Sequence, residues 1–369
     1  RKKEGSFLGR YQVCVYAIAK NEEKFVDRWM DSMLEADLVV VTDTGSTDGT
    51  VEKLRGRGAV VFTEEVKPWR FDVARNLSLD HIPAVADICV CTDLDEVFSP
   101  GWREHLEQAW QPDTNTARYL YNWSHRPDGS PDMQFYYSKI HSRKGFRWRY
   151  PVHEYLYYNG TPPQRTVYAD SVVLDHYPDP EKSRGSYLPL LETAVRENPE
   201  DDRMCYYLGR EYLYLGRFPD CIKTLKRHLS LPASTWAEER CASMRWIAKS
   251  YHRLGKDREA YSWYLRAAAE APHLRDPYVE LAQAAYEKKD WLTSFFAAEK
   301  ALSIREKSKT YVNMGYSWDH TPDDLCAIAC YRLGFLERSA EHARKALELS
   351  PGNERLKNNL RLIEQALSK

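Results

Sequence analysis

Residues of similar size recur at a fixed interval in the second half of the chain. Four positions are matched 34 residues later by another small or apolar residue, in the pairs Ile247 and Leu281, Ala248 and Ala282, Ala260 and Ser294, and Ala267 and Ala301. A period of this length is typical of two helices that stack as one unit, with small residues allowing close approach. The interval therefore predicts helix pairs in series; the alternative is a non-repeating helical bundle.

Two more units fit this period when insertions are allowed. The earlier unit holds Leu208, Gly209, Tyr212 and Cys221, and the later unit holds Ala327, Ala343, Ala346 and Pro351. The final segment NERLKNNLRLIEQAL has the polar character of a capping helix, which such an array needs at its end. We therefore predict an all-α, tetratricopeptide-like repeat domain over residues 184–369.

The last two units are separated by the insertion REKSKTYVNMGYSWDH, residues 305–320. Its aromatic residues Tyr311, Tyr316 and Trp318 add contact area that a plain turn between helices does not require. They are suited to contact an acceptor molecule, or alternatively to pack on the neighbouring helices.

The first half has a different pattern. Short β-rich runs alternate with helical stretches such as EEKFVDRWMDSMLEA; the runs are YQVCVYAI, DLVVVT, GAVVFT and ADICVC. This alternation predicts an α/β domain with a mostly parallel sheet over residues 1–183. Ligands of such sheets bind beyond the carboxyl ends of the strands, which directs attention to the segments that follow each run.

Charge and cysteine usage exclude several classes of protein. Lys and Arg total 53 against 54 for Asp and Glu, so no net field favours nucleic acid as a partner. We expect no transmembrane segment, because no apolar run approaches the roughly 18 residues of a membrane span. The eight cysteines form no Cys-x-x-Cys pair, which favours reduced thiols and a cytoplasmic location.

Cys326 and Cys330 lie one helical turn apart. Together with two further ligands they would suffice for a metal ion. Both sit where a helix would bury small residues, so the sequence favours packing as their role.

Three carboxylates, expected to be exposed, follow the run ADICVC in the segment CTDLDEVF. Asp93, Asp95 and Glu96 would repel one another unless water, a basic side chain or a metal ion balances their charge. Most Asp-x-Asp triplets are solvated turns, so this motif needs support from its context. Its place at the end of a buried strand supplies part of that support.

The segment VVVTDTGSTDGT forms a second strand end. Gly45 and Gly49 allow a tight turn, and Asp48 can cap a helix that begins near Thr50. A structural turn explains most of these residues. Asp43 would still need a partner at the end of a buried strand, and a nucleotide offers N–H and O–H donors.

Four ordered segments, AIAKNEE, VVVTDTGSTDGT, WRFDVARN and TDLDE, are similar to the GT-A catalytic domain of inverting family 2 glycosyltransferases. The resemblance covers about residues 10–180. Repeats that follow such a domain also resemble bacterial members of the family, including the S-glycosyltransferases that modify glycocin peptides. This resemblance implies a GT-A fold and the transfer of a hexose from a nucleotide sugar.

The resemblance implies two groups of site residues. The positions that match donor-binding residues of the family are Ile18, Glu22, Asp43, Arg75 and Asp93. Glu22 and Asp43 would face the uridine, and Arg75 would oppose the diphosphate charge or, alternatively, pair with Asp43.

The second group concerns metal and catalysis. The resemblance implies that Asp95 binds Mn²⁺ or Mg²⁺ directly, that Asp93 contacts ribose or metal-bound water, and that Glu96 orients its neighbours. The family often places a histidine ligand and a base carboxylate further along the chain. His153 and His176 are both candidates for the ligand, and Glu154 is the candidate base.

The predicted function is metal-dependent, inverting transfer from a nucleotide sugar, expected to be a UDP-sugar, to a peptide or protein. Two alternatives stay open: a glycan acceptor in cell-envelope polysaccharide or lipopolysaccharide assembly, and a non-catalytic binding protein built on the repeats. A nucleotidyltransferase is disfavoured because AIAKNEE lacks a glycine-rich, basic phosphate loop. The sequence leaves the sugar, the attacking atom and the oligomeric state open.

Overall fold

The computed structural model of the protein describes residues 10–161, 163–180, 185 and 187–368. The chain forms two compact units, residues 1–194 and residues 195–369. The boundary predicted between residues 183 and 184 lies outside the described residues.

The first unit alternates strands and helices over its first half and then becomes mainly β. Its strands are β1 (Val13–Ala19), β2 (Leu38–Asp43), β3 (Val60–Thr63), β4 (Ile88–Cys91), β5 (Glu96–Phe98), β6 (Thr116–His125), β7 (Pro131–Ser142), β8 (Phe146–Arg149), β9 (Tyr155–Tyr158) and β10 (Thr166–His176). Its helices are α1 (Val26–Met33), α2 (Thr50–Gly56), α3 (Phe71–Asp80) and α4 (Trp102–Ala109), and α5 (Tyr187–Glu197) crosses into the second unit. The four predicted runs form β1 to β4.

Eight of these strands form one sheet in the order β3-β2-β1-β4-β7-β6-β10-β5. Strand β1 is parallel to β2 on one side and to β4 on the other, so the chain reverses its direction of winding at β1. Strands β5 and β7 are antiparallel to their neighbours. The carboxyl ends of β1, β2 and β4 therefore meet at one edge, at the kind of switch point where α/β sheets bind ligands.

A small two-stranded sheet, β8 paired with β9, is tied to β1 by a buried hydrogen-bond chain. Trp148 Nε1 donates to the Tyr16 hydroxyl at 2.9 Å, and that hydroxyl lies 2.7 Å from His141 Nε2. His141 Nδ1 lies 2.8 Å from the carbonyl oxygen of Ser142 and donates to it. Burial lowers the pKa of His141 to about 4, so this chain of bonds is complete only with a neutral imidazole.

The second unit consists of antiparallel helix pairs. The helices are α6 (Asp202–Tyr214), α7 (Phe218–Ser230), α8 (Ala237–Arg253), α9 (Asp257–Glu270), α10 (Asp276–Glu287), α11 (Trp291–Ser303), α12 (Thr321–Leu333), α13 (Leu336–Leu349) and α14 (Glu354–Leu367), with a short 3₁₀ turn at Gly315–Ser317. The first eight of these form four pairs, and α14 is the capping helix that the sequence predicts. Asn353 caps α14 by accepting from the backbone N–H groups of Arg355 and Leu356.

The eight residues that define the 34-residue interval are all buried between these helices. Gly209 shows why small residues are needed, since an added Cβ would lie 2.3 Å from Leu225 Cδ2 on the paired helix. The tetratricopeptide-like organisation is thus confirmed.

The insertion before α12 packs on neighbouring helices. The hydroxyl of Tyr311 donates to Glu239 on α8, and that of Tyr316 donates to Glu280 on α10. The Trp318 ring lies 3.9 Å from the guanidinium carbon of Arg275. The packing alternative is therefore the one observed for these aromatic residues.

All eight cysteines are buried and free. In the described part of the chain, every helix is too short or too polar to cross a membrane.

Candidate active site

The loops that follow β1 and β2 are joined by hydrogen bonds. Asn21, at a positive φ of 55°, accepts from the backbone N–H of Thr47 at 2.7 Å, and its own N–H donates to Ser46 Oγ at 2.9 Å. Glu23 accepts from the backbone N–H of Gly49 at 3.0 Å. The motifs AKNEE and DTGSTDGT thus form one rigid strand-end structure.

Asp43 is satisfied by its own turn. Its carboxylate accepts from the backbone N–H groups of Gly45 and Ser46, both at 3.0 Å, and from the Ser46 hydroxyl. The Asp43 carboxylate is therefore satisfied within the protein, so its place at the end of a buried strand is no evidence for a ligand. Helix α2 begins at Thr50 as predicted, and Asp48 Oδ1 accepts from the Thr50 backbone N–H at 3.1 Å.

A cleft of about 410 Å³ lies beside this turn. Thr44 and Gly45 line one part of it, Lys20 brings positive charge, and Trp69 brings an aromatic face. Lys67 and Glu65 also line the cleft and form an ion pair with each other. Of the other predicted donor-binding residues, Ile18 is half-buried near the end of β1, and Glu22 is buried just beyond it.

Asp93 lies between two buried cations. Arg75 Nη2 on α3 donates to Asp93 Oδ1 at 2.7 Å, and Lys139 Nζ on β7 donates to Oδ2 at 3.0 Å. Burial would raise the pKa of Asp93, but the charges of Arg75 and Lys139 outweigh it and hold that pKa below its usual value. Basic side chains therefore balance this carboxylate.

Glu96 is buried, which corrects the expectation of an exposed carboxylate cluster. Only 1% of its surface is exposed, and it accepts from the Asp93 N–H at 2.9 Å, from the Tyr121 hydroxyl at 2.8 Å and from Lys139 at 3.3 Å. Glu96 thus holds the Asp93 segment in place through the Asp93 N–H.

Lys139 is the residue that sequence reasoning missed. It belongs to the same face of β7 as Tyr137 and His141, because strand residues alternate between faces. A lysine on an otherwise aromatic face was the available signal. A lysine is buried only when an anion pairs with it. The carboxylates of the CTDLDEVF segment, at the end of β4, are candidates for that anion.

Arg75 joins two of the predicted site residues. Besides Asp93 it contacts Glu154, with Arg75 Nε 2.5 Å from Glu154 Oε1. Its guanidinium also lies over the Trp148 ring at 5.1 Å. Among the described residues Arg75 therefore pairs with Asp93 and Glu154, and the alternative pairing with Asp43 is wrong.

Asp95 and His176 meet at the end of β10. His176 Nε2 lies 3.5 Å from Asp95 Oδ2, and both side chains are mostly buried. Burial would lower the pKa of His176, but the hydrogen bond and charge of Asp95 reverse this and raise it. His153, the other candidate, has a φ of 51° and packs edge-on against the Tyr187 ring, with 5.7 Å between ring centroids.

The ring nitrogen of His176 and the carboxylate oxygens of Asp95 are suitable ligand atoms for a divalent metal ion. His176 Nδ1 lies 3.2 Å from the Trp123 carbonyl oxygen, which accepts its proton, so a metal ion that replaced the Nε2 proton would lie between this nitrogen and Asp95. Metal-binding histidines commonly have this arrangement, and carboxylate and imidazole both suit Mn²⁺. Asp93 has a cation on each oxygen and lies beside this pair.

The carboxylates that follow β4 lie at the edge where an open α/β sheet binds its ligands. Residues 14–160 match the model of glycosyl transferase family 2. The first unit therefore carries a family 2 glycosyltransferase domain, and the protein is a glycosyltransferase with tetratricopeptide-like repeats.

Solved structures similar to this chain include helical repeat proteins. A thermophilic TPR protein of Thermus thermophilus shares 17% identity over 49% of this chain and 90% of its own, with a TM-score of 0.36. YrrB, described as a TPR protein with an unusual peptide-binding site, shares 12% over 48% of this chain and 84% of its own, with a TM-score of 0.39. MamA shares 18% identity over 47% of this chain and 96% of its own, with a TM-score of 0.38.

Proposed function

We propose that the protein transfers a hexose, with inversion, from a UDP-sugar to a peptide or protein in a reaction that depends on Mn²⁺ or Mg²⁺. The observation that carries this proposal is the contact between Asp95 and His176 beside the charge-balanced Asp93. It lies at the strand edge where a family 2 domain would hold its donor.

In this proposal the cleft beside the Asp43 turn receives the nucleoside. Trp69 offers a ring for stacking against uracil, and Glu22 and Asp43 offer oxygens for uracil or ribose. Lys20 lies where it would attract the diphosphate, and Lys67 would do so by exchanging its partner Glu65 for a phosphate oxygen. Ile18 would pack against the nucleoside from the end of β1.

Asp95 and His176 would hold the divalent ion, which when bound neutralises charge that gathers on the departing diphosphate. Arg75 and Lys139 fix both oxygens of Asp93, so this carboxylate is held in one orientation toward the ribose. The assignment of Asp93 to ribose rests on this fixed orientation.

Glu154 is the proposed general base. It is mostly buried, and its pairing with Arg75 links it to the Asp93 cluster. A carboxylate held in place can remove the proton from the attacking acceptor atom as the bond to the sugar forms. Inversion follows from this single displacement.

The second unit offers a surface for a peptide. A recess of about 500 Å³ is lined by cations and aromatic rings, namely Lys226, Tyr251, Arg258, Trp263 and Arg266, together with Glu259 and Ser262. Arg266 lies over the Trp263 ring at 4.7 Å. This chemistry suits an acidic or aromatic segment, which favours a peptide or protein acceptor over a glycan.

The proposal is tested by nucleotide-sugar hydrolysis. UDP-, GDP- and TDP-hexoses are incubated with the full chain and Mn²⁺, Mg²⁺ or a chelator, and the released nucleoside diphosphate is measured. We expect release from a UDP-hexose only when metal is present. Equal release in chelator would overturn the metal dependence, and a preference for GDP-sugars would overturn the uridine assignment.

A further inference from the structure

Three consecutive helices of the second unit bring a thiol, an imidazole and a carboxylate together. Cys326 on α12, His342 on α13 and Glu299 on α11 each place one ligand atom within 4.8 Å of the others. Cys326 Sγ lies 3.3 Å from Glu299 Oε1, and His342 Nε2 lies 2.9 Å from the same oxygen. We propose that these residues bind a Zn²⁺ ion, with Cys330 as the fourth ligand.

Cys330 is placed for this role by the helix itself. It follows Cys326 by one turn on the same face of α12, outside the group of three ligand atoms that already lie within 4.8 Å of one another, so its thiol would turn about the Cα–Cβ bond to complete the set. Both cysteines are fully buried. Two thiolates, one imidazole and one carboxylate form a tetrahedral ligand set of the kind that zinc prefers.

His342 is oriented for metal binding by a second carboxylate. Its Nδ1 lies 2.8 Å from Asp323 Oδ1, and this buried carboxylate accepts the Nδ1 proton. The lone pair of Nε2 is then directed at Cys326 and Glu299. A carboxylate that holds the outer nitrogen of a ligating histidine is a common feature of zinc sites.

The distances require only a small expansion. Zinc bond lengths imply tetrahedral edges of roughly 3.4 Å between nitrogen and oxygen and roughly 3.6 Å between sulfur and oxygen. The observed 2.9 Å and 3.3 Å are each shorter by a few tenths of an ångström. Rotation of the Glu299 side chain, which is one-third exposed, supplies such a change without displacing a helix.

Most of the local charge is offset. Two thiolates and the carboxylates of Glu299 and Asp323 carry four negative charges against the two positive charges of zinc. Arg338 Nη2 lies 2.8 Å from Glu299 Oε2 and supplies a third positive charge. A bound ion would therefore join α11, α12 and α13 and leave one net negative charge, at the Asp323 carboxylate that His342 stabilises by a hydrogen bond. Without a metal, a protonated His342 between Asp323 and Glu299 is the competing arrangement.

Cobalt binding separates these two states. The full chain is stripped with a chelator and titrated with Co²⁺, whose thiolate charge-transfer absorption reports sulfur ligation; zinc is then added in competition. We expect one equivalent of Co²⁺ to give this band and Zn²⁺ to remove it. His342→Gln and Cys330→Ser should lose the band, whereas Cys221→Ser, at another fully buried cysteine of the same unit, should keep it.

Stability provides a second readout that needs no variant. Adding Zn²⁺ to the stripped wild-type chain should raise the Tm of the second unit, and equal Mn²⁺ should not. A folded wild-type chain that gives no thiolate band, or a band that persists in His342→Gln, would overturn the proposal. If the zinc proposal is wrong, hydrolysis of the nucleotide sugar should be unaffected, so this outcome can be distinguished from failure of the proposed function.

Discussion

Lys139 Nζ lies 3.0 Å from Asp93 Oδ2, although 46 residues separate the two along the chain. The contact places a cation from β7 beneath a carboxylate that follows β4. It makes the strand-end acidic segment stable before any ligand arrives, because Lys139 also reaches the buried Glu96.

Removing this lysine should strongly destabilise the first unit. Lys139→Met leaves two carboxylates without their shared cation, which costs about 3–5 kcal/mol for a buried pair. Urea unfolding, read out by hydrogen exchange of β1 and β4 peptides, measures the loss. The double variant Lys139→Met, Glu96→Gln should recover part of it; an unchanged midpoint in the single variant would contradict the pairing.

Asp95→Asn should abolish transfer and donor hydrolysis while the fold is retained. The amide keeps the size of the side chain but loses the charge that would hold a divalent ion opposite His176. Mn²⁺ binding, followed by electron paramagnetic resonance, should weaken in parallel. Asp80→Asn, at an exposed aspartate of α3, serves as the matched control. Wild-type turnover by folded Asp95→Asn would remove Asp95 from the site.

Asp43→Ala should weaken UDP binding by about 1–3 kcal/mol, the usual result of losing a charged hydrogen-bond partner. Because Asp43 also holds the turn through Gly45 and Ser46, thermal stability is measured on the same samples. Calorimetry with UDP gives the affinity. Unchanged affinity together with a lower Tm would make Asp43 a residue of the turn alone.

Acid should destabilise the first unit through His141. Its pKa is about 4 in the folded chain and about 6.5 when unfolded, so the unfolded state binds the proton more readily between these values. The contribution is fully present above pH 6.5 and falls by about 3 kcal/mol as the pH drops toward 4. His141→Gln should flatten this part of the pH profile of unfolding.

The repeat surface should govern the acceptor and not the donor. Trp263→Ala and Arg266→Glu remove an aromatic face and a cation from the proposed peptide recess. Each should reduce transfer at least severalfold and spare slow donor hydrolysis, measured side by side once an acceptor is in hand. Arg361→Glu, at an exposed position of α14, is the control. Parallel loss of both activities would mean that the recess only stabilises the unit.

Local pattern was sufficient to predict the first four strands of the sheet and the helical repeats, whereas strands β5 to β10 were not predicted. Strands β1 to β4 and the capping helix follow from residue periods, and positions such as Ala248 and Ala282 are buried as the repeat predicted. The spacing of apolar residues shows which face of a helix or strand is buried, and this spacing can be read from residues that are close together in the sequence.

Partners across the sheet could not be predicted in the same way. The pairing of Arg75 with Asp93 and Glu154 was not predicted, because only the folded sheet brings these residues together. Likewise, nothing in the local sequence says that the partner of Cys326 on α12 is His342 on α13. Such contacts depend on packing of distant segments, which local propensity does not encode.

The hydrogen bonds that join Asn21 to Thr47 and Glu23 to Gly49 limit how this enzyme can be diversified. Each of these loops presents half of the polar groups that complete the other. A chimaera that imports only one of them from a homologue would leave backbone amides without acceptors on both sides. An exchange of donor preference between relatives should therefore succeed when both loops, residues 20–23 and 43–50, are transferred together.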